Sequence, residues 1–227
     1  MPSNANLYAQ LRPHFPARLD DVAIETADAP AGHDGHAFTP LHYTWRDLER
    51  GSARIANLFA DLALPAGARV LAHVDKSVEA MMLYLATLRA GLVFVPLNTA
   101  YQASELEYFV ENASPAVVVC APRNFPWISR IAFARGTRMV LTLGDDRSGS
   151  LLERAAQMGD EFDTVQRDAD DVAIETADAP AGHEGHPFTP LHYTWRDLER
   201  GSARIANLFA DLALPAGARV QIGRAHV

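Results

Sequence analysis

The stretch GDDRSGS (144–150) follows an apolar run and leads into a helical one. It spaces Gly144 and Gly149 as in G-x-x-x-x-G, the pattern of loops whose backbone N–H groups wrap phosphate oxygens. Two features oppose that use. Ser150 stands where the lysine of such loops belongs, and Asp145 and Asp146 would repel phosphate at close range. The segment is therefore expected to be a strand–helix turn, with Ser148 or Ser150 as the helix cap. His33 and His36 in HDGH, and again His183 and His186 in HEGH, are spaced like paired metal ligands. A zinc pair of that kind needs a helix and a third donor. Gly35 and Gly185 weaken a helix there, and no third ligand lies nearby, so both segments are read as solvated loops. Cys120 lies within AVVVCA, where burial would keep its thiol protonated and inert. Tyr43, Trp45 and Tyr84 are read as core or half-buried anchors. The pairs Asp20–Asp21 and Asp170–Asp171 are read as solvated strand entries. No Ser-His-Asp or Cys-His set stands out. No catalytic, cofactor-binding or metal-binding residue is assigned.

The bulk properties narrow the function classes. The net charge of −8 disfavours nucleic acid and anionic membranes, which require a basic face. The opening MPSNANLYAQLRPHF lacks the basic-then-apolar order of a signal peptide. No apolar run approaches the roughly 18 residues of a bilayer span. Cys120 is the single cysteine, so no intrachain disulfide can form, and a cytoplasmic location is expected. Lys76 is the single lysine among 20 basic residues. That arginine bias, with abundant Ala, Gly and Pro, fits a GC-rich bacterial genome.

The elements that must position any site follow from periodicity. LYAQLRPHF (7–15) predicts a short helix broken near Pro13. DVAIET (21–26) and LHYTW (41–45) predict paired strands around a turn-rich loop at 28–40. Thr44 and Asp47 form a capping box. Trp45, Leu48, Ile55, Leu58, Phe59 and Leu62 then lie on one helical stripe. RVLAHV (69–74) predicts a buried strand. Ser77 caps a helix that is apolar most of the way round, and Gly91 fits a left-handed stop. Strands at 92–97, 116–121 and 138–143 alternate with helices at 104–113, 127–134 and 150–158. Continuous apolar strands with helical crossovers predict an α/β fold, a mostly parallel sheet flanked by helices.

A repeat cuts across this pattern. Asp20–Val70 recurs as Asp170–Val220 with two differences, Asp34 to Glu184 and Ala37 to Pro187. Solenoid repeats are diverged, tandem and number at least three, whereas these copies are separated by 99 other residues. The word DDVA occurs at both junctions and could join two unrelated reads. Residues 171–220 are therefore expected to be an artefact of sequence assembly. Gln221–Val227 (QIGRAHV) is expected to be the translation of a sequencing adapter, so His226 carries no weight. With both copies present, one native niche cannot hold two identical stripes, and the second copy is expected to dock loosely, to swap between chains or to be prone to aggregation.

Two stretches resemble a known family. LHYTWRDL (41–48) is similar to the first core motif of the AMP-forming, adenylate-forming synthetases, and LRAGLVFVPLN (88–98) to the second. The longer runs RDLERGSARIANLFADLALPAGARV, KSVEAMMLYLATLRAGLVFVPLNTAY and ELEYFVENASPAVVVCAP resemble the malonyl-CoA synthetase branch, over residues 1 to about 173. The resemblance implies the N-terminal part of the adenylate-forming fold, 1–170. It also implies ATP, Mg²⁺ and CoA as cofactors or substrates, and malonate as the acid activated through an acyl-adenylate. The alternatives are a ligase for medium-chain or aromatic acids, or a non-catalytic paralogue that binds a partner. The family's third motif, a Ser/Thr/Gly-rich loop ending in Lys-Gly, normally follows a lead-in like Ala169–Ala173. Here IETADAP follows instead, and the second family lysine, from a mobile C-terminal domain, has no counterpart. No ATP, Mg²⁺ or CoA is expected to bind this chain productively.

Overall fold

The computed structural model describes residues 4–26, 41–177 and 190–212. The histidine pairs at 33–36 and 183–186, the loop at 28–40 and the tail at 221–227 lie outside them. In chain order the elements are α1 (Leu7–Leu11), β1 (Val22–Glu25), β2 (His42–Thr44), α2 (Trp45–Asp61), β3 (Arg69–His73), α3 (Val78–Arg89), β4 (Val93–Pro96), α4 (Ala103–Ala113), β5 (Val117–Cys120), α5 (Phe125–Ala134), β6 (Met139–Thr142), α6 (Ser150–Ala155), β7 (Val172–Ala177), β8 (Pro190–Thr194) and α7 (Trp195–Asp211).

Six strands form one sheet in the order β6-β5-β3-β4-β7-β8. β3 runs parallel to β4 and β5, and β5 runs parallel to β6. β7 joins β4 in parallel at Phe94 and Ile174, and β8 closes the edge antiparallel to β7. Both faces are covered, as continuous apolar strands require. Leu48, Ile55, Leu58 and Phe59 of α2 pack with Leu83 and Ala86 of α3 and Leu151 of α6 on Val70 and Val117. Leu106 and Phe109 of α4 and Ile128 of α5 pack on Leu71 and Val118 from the other side. This is the expected α/β architecture, a mostly parallel sheet flanked by helices.

Local signals produce the helix that carries the first copy. Thr44 accepts from the Asp47 N–H, and Asp47 accepts in return from the Thr44 N–H at 2.8 Å. Gly51 lets α3 approach closely, because a Cβ there would sit 2.5 Å from Met82 Sδ. Gly91, at φ 67°, ends the turn after α3, a conformation that costs glycine little.

The second copy repeats the local unit in a different setting. The hairpins β1–β2 and β7–β8 share one register and one irregularity, at Val22/Ile24 and Val172/Ile174. Arg46 grips Asp20 at 2.6 and 2.9 Å, and Arg196 grips Asp170 at 2.9 and 3.0 Å. These exposed pairs hold both aspartates below the ordinary carboxylate range. The surroundings then diverge. β1–β2 stands as its own two-stranded sheet, whereas β7–β8 is built into the main sheet. Trp195 is buried with Leu7, Leu88 and Ala173. The second hairpin is thus more firmly seated than a loosely docked copy. Beyond Trp195 and the partly buried Leu198, however, α7 lies open, because α2 already fills the α3–α6 face.

The two helices should respond differently to one substitution. Gly201→Ala meets nothing within 4 Å and should gain the helix propensity of alanine, about 0.5–1 kcal/mol. Gly51→Ala should not show that gain, since Met82 must move aside. Thermal melts followed by helix circular dichroism at low concentration, where chains are separate, compare the two. Equal stabilisation by both changes would contradict the packing described for α2.

Candidate functional site

In open parallel sheets, ligands bind beyond the carboxyl ends of the strands. At that end of this sheet lie the turn after β6, the turn carrying Lys76 after β3, and the loops after β4 and β5.

The turn after β6 holds the glycine pair singled out by spacing. Its polar groups are engaged with one another. The Gly144 N–H donates to Ser148 O at 2.9 Å. The Ser148 N–H and hydroxyl both donate to Asp146 Oδ1, at 3.0 and 2.5 Å, which holds the Asp146 carboxyl below its usual range. Ser150 Oγ accepts from the Thr142 N–H at 3.0 Å, and the Ser150 N–H donates to Thr142 Oγ1 at 2.9 Å. Gly149 adopts φ 122°, and a Cβ there would lie 2.4 Å from Thr142 O. Close packing of the turn on β6 therefore explains this glycine without a ligand. Neither serine caps α6 through its side chain, contrary to expectation. Gly149 is the cap residue, Ser150 ties back to β6, and Ser148 is held by Asp146. Asp145 and Asp146 are exposed at the mouth. A triphosphate is poorly received here: the amides of Gly144, Ser148 and Ser150 have partners, and the two carboxylates of Asp145 and Asp146 outnumber the one guanidinium of Arg147.

Lys76 is exposed in the turn between β3 and α3. Beside it Asp75 accepts from Arg123 at 2.7 Å. Two clefts open nearby. One, about 280 Å³, is lined by Thr99, Tyr101, Gln102, Asn124 and Trp127. The other, about 470 Å³, is lined by His42, Tyr43, Asp47, Arg50, Arg54 and Arg147. Of its three arginines, Arg50 and Arg54 share the one carboxylate of Asp160, at 3.3 and 3.9 Å. Tyr43 donates to Glu79 at 2.7 Å. Among the described residues, no group of three or more His, Cys, Asp or Glu side chains could hold a metal ion.

Two titratable groups are buried at the strand ends. Burial pushes the Cys120 thiol up to about 12, so it is inert, as its apolar strand predicts. His73 is fully buried, with the Trp127 ring edge-on at 6.1 Å, and no sequence signal marks it. Burial lowers its pKa from the ordinary 6.5, with backbone contacts and Asp75 opposing. Below 6.5 the unfolded chain therefore binds a proton that the folded chain refuses. Stability from this group is present above that pH and is lost as pH falls toward the folded value. Urea melts between pH 7 and 5 should show that loss, and His73→Gln should remove this part of it. An unchanged pH slope in the variant would contradict the assignment.

The comparisons agree with this geometry. The family model described as "AMP-binding enzyme" matches residues 19–182. An uncharacterised acyl–CoA ligase of Bacillus subtilis is 26% identical over 152 residues, 66% of this chain and 28% of its own length. The oxalate–CoA ligase of Arabidopsis thaliana is 25% identical over 180 residues, 77% of this chain and 34% of its own. MatB from Rhodopseudomonas palustris, in its apo crystal structure, is 36% identical with a TM-score of 0.79, covering 92% of this chain and 38% of MatB. The chain thus spans about a third of the length of these relatives. No described helix is long and apolar enough to cross a membrane. With the family model spanning most of the chain and MatB superposing on nearly all of it, the chain belongs to the AMP-binding enzyme family.

Proposed function

We propose that residues 1–170 are the N-terminal portion of a cytoplasmic, ATP-dependent malonate–CoA ligase, one that converts malonate, ATP and CoA into malonyl-CoA, AMP and diphosphate. The 36% identity to MatB across 92% of the chain carries this reading. The runs 46–70, 76–101 and 105–122, which resemble the malonyl-CoA synthetase branch, support it. Within such an enzyme these residues supply scaffold. α2 and α3 clamp the sheet, and Gly91 and Pro96 shape the entry and exit of β4, while the groups that handle phosphate come from elsewhere. The 227-residue polypeptide itself is inactive in this reading, with Gly144–Ser150 unable to receive a triphosphate and Lys76 as the only lysine.

Amplification of the locus across codons 165–180 from source DNA tests the reading. A single copy should run past DDVA into new sequence containing a Ser/Thr/Gly-rich loop that ends in Lys-Gly. The uninterrupted product should release pyrophosphate with ATP, Mg²⁺ and CoA fastest when malonate is the acid. Preference for a medium-chain or aromatic acid would retain the family and overturn the substrate. An amplicon holding both copies would refute the assembly reading of 171–220.

A further inference from the structure

α7 carries the same 17 residues as α2, yet Ile205, Leu208, Phe209 and Leu212 are 56, 55, 38 and 57% exposed. Their counterparts Ile55, Leu58 and Phe59 are buried to 3% or less. A helix that exposes such a stripe lacks its partner. We propose that the stripe is a self-association surface, on which α7 packs antiparallel against α7 of a second copy of this chain about a twofold axis.

Spacing and charge favour that occupant. Gly201, Ile205, Leu208 and Leu212 follow the alternating four-three spacing of a coiled-coil seam. Antiparallel layering sets Ile205 against Leu208 of the second copy, and Gly201 against its Leu212. A Cβ at Gly201 would meet nothing within 4 Å, so the position is open to that leucine and the small residue lets it come close. Arg204 and Asp211 flank the seam on one side, seven residues apart. Antiparallel pairing brings Arg204 of each copy against Asp211 of the other, twice per dimer, whereas a parallel pair leaves both without an opposite charge. Among the described residues neither has an ion-pair partner. The α3–α6 face that covers the identical stripe of α2 is already filled in every copy. An exchange of α7 for α2 would therefore expose as much apolar surface as it hides, whereas pairing of two α7 helices hides both stripes. Such a contact is smaller than the interfaces of obligate dimers, about 2,000 Å² and above, so association should depend on concentration.

Sedimentation velocity of the full 227-residue chain over a concentration series tests this. The mass should move from one chain toward two. Leu208→Asp should hold the chain monomeric throughout while leaving core circular dichroism unchanged, since Leu208 is exposed in the single chain. Arg204→Asp and Asp211→Arg should each weaken dimerisation by about tenfold, through two opposed like-charge contacts. The double variant should return to within about threefold of the parent. A chain monomeric at all concentrations would overturn the proposal. So would a dimer or higher oligomer indifferent to Leu208→Asp, or a double variant no stronger than the singles.

Discussion

Given ATP, Mg²⁺, CoA and malonate, the purified 227-residue chain should release pyrophosphate no faster than a protein-free blank. Activation of a carboxylate places negative charge on a departing pyrophosphate, and fixed N–H donors and cations must already surround that charge. Loss of one such preorganised donor typically costs about 10²–10³ in rate, and in the reading proposed above this chain lacks several together. The turn at 144–150 cannot replace them. Its Ser148 and Ser150 amides donate to Asp146 and Thr142, and Asp145 and Asp146 face the solvent from which ATP would approach. Arg50 and Arg54 have Asp160 as their counter-charge. Malonate-dependent AMP formation by this polypeptide, free of any companion synthetase, would mean that phosphate is held by groups other than those considered.

The second large effect contrasts one substitution at two identical positions. Phe59→Ala should destabilise the chain by about 3–5 kcal/mol, the cost of losing an aromatic side chain and leaving a cavity in a packed core. Phe59 is 1% exposed and lies in the cluster joining α2, α3 and α6 to the sheet. Phe209→Ala should change stability by about 0.5 kcal/mol or less at concentrations where the chain is monomeric, because Phe209 is 38% exposed and leaves no enclosed cavity. Urea unfolding of the two variants, monitored through the helical signal, gives both numbers. Equal losses would show that both helices are equally packed.

What could be read in the sequence was local. The Thr44–Asp47 capping box, the left-handed Gly91 and the stripe of α2 each depend on residues within two turns of one another. All appear where spacing placed them, as do the apolar parallel strands. Features that depend on distant partners were not legible. Ser150 is drawn from its expected capping role by Thr142, on the strand before the turn. β7 enters the main sheet beside Phe94, although the same residues in β1 pair only with β2. Trp195 is buried while Trp45, in an identical local sequence, is half-buried against Phe15, with ring centroids 4.7 Å apart. Nothing within either copy could separate these outcomes, because each is decided by what else occupies the sheet edge and helix face. His73 was missed for a related reason. Only its position at the carboxyl end of β3, beneath Trp127, makes it a buried histidine.

Whether the chain can act as a ligase turns on whether residues 171–220 continue the synthetase fold or repeat a segment that the fold already houses. Hydrogen exchange followed by mass spectrometry reads this directly, because peptides from within 45–61 and 195–211 have the same sequence and the same mass. At dilute concentration each such peptide should show two isotope envelopes of equal weight. The slow one belongs to α2, locked beneath the core. The fast one belongs to α7, a 17-residue helix exposed along most of its length and therefore prone to open. A single slow envelope would show that both copies are housed alike, and would contradict the existence of one niche for two helices.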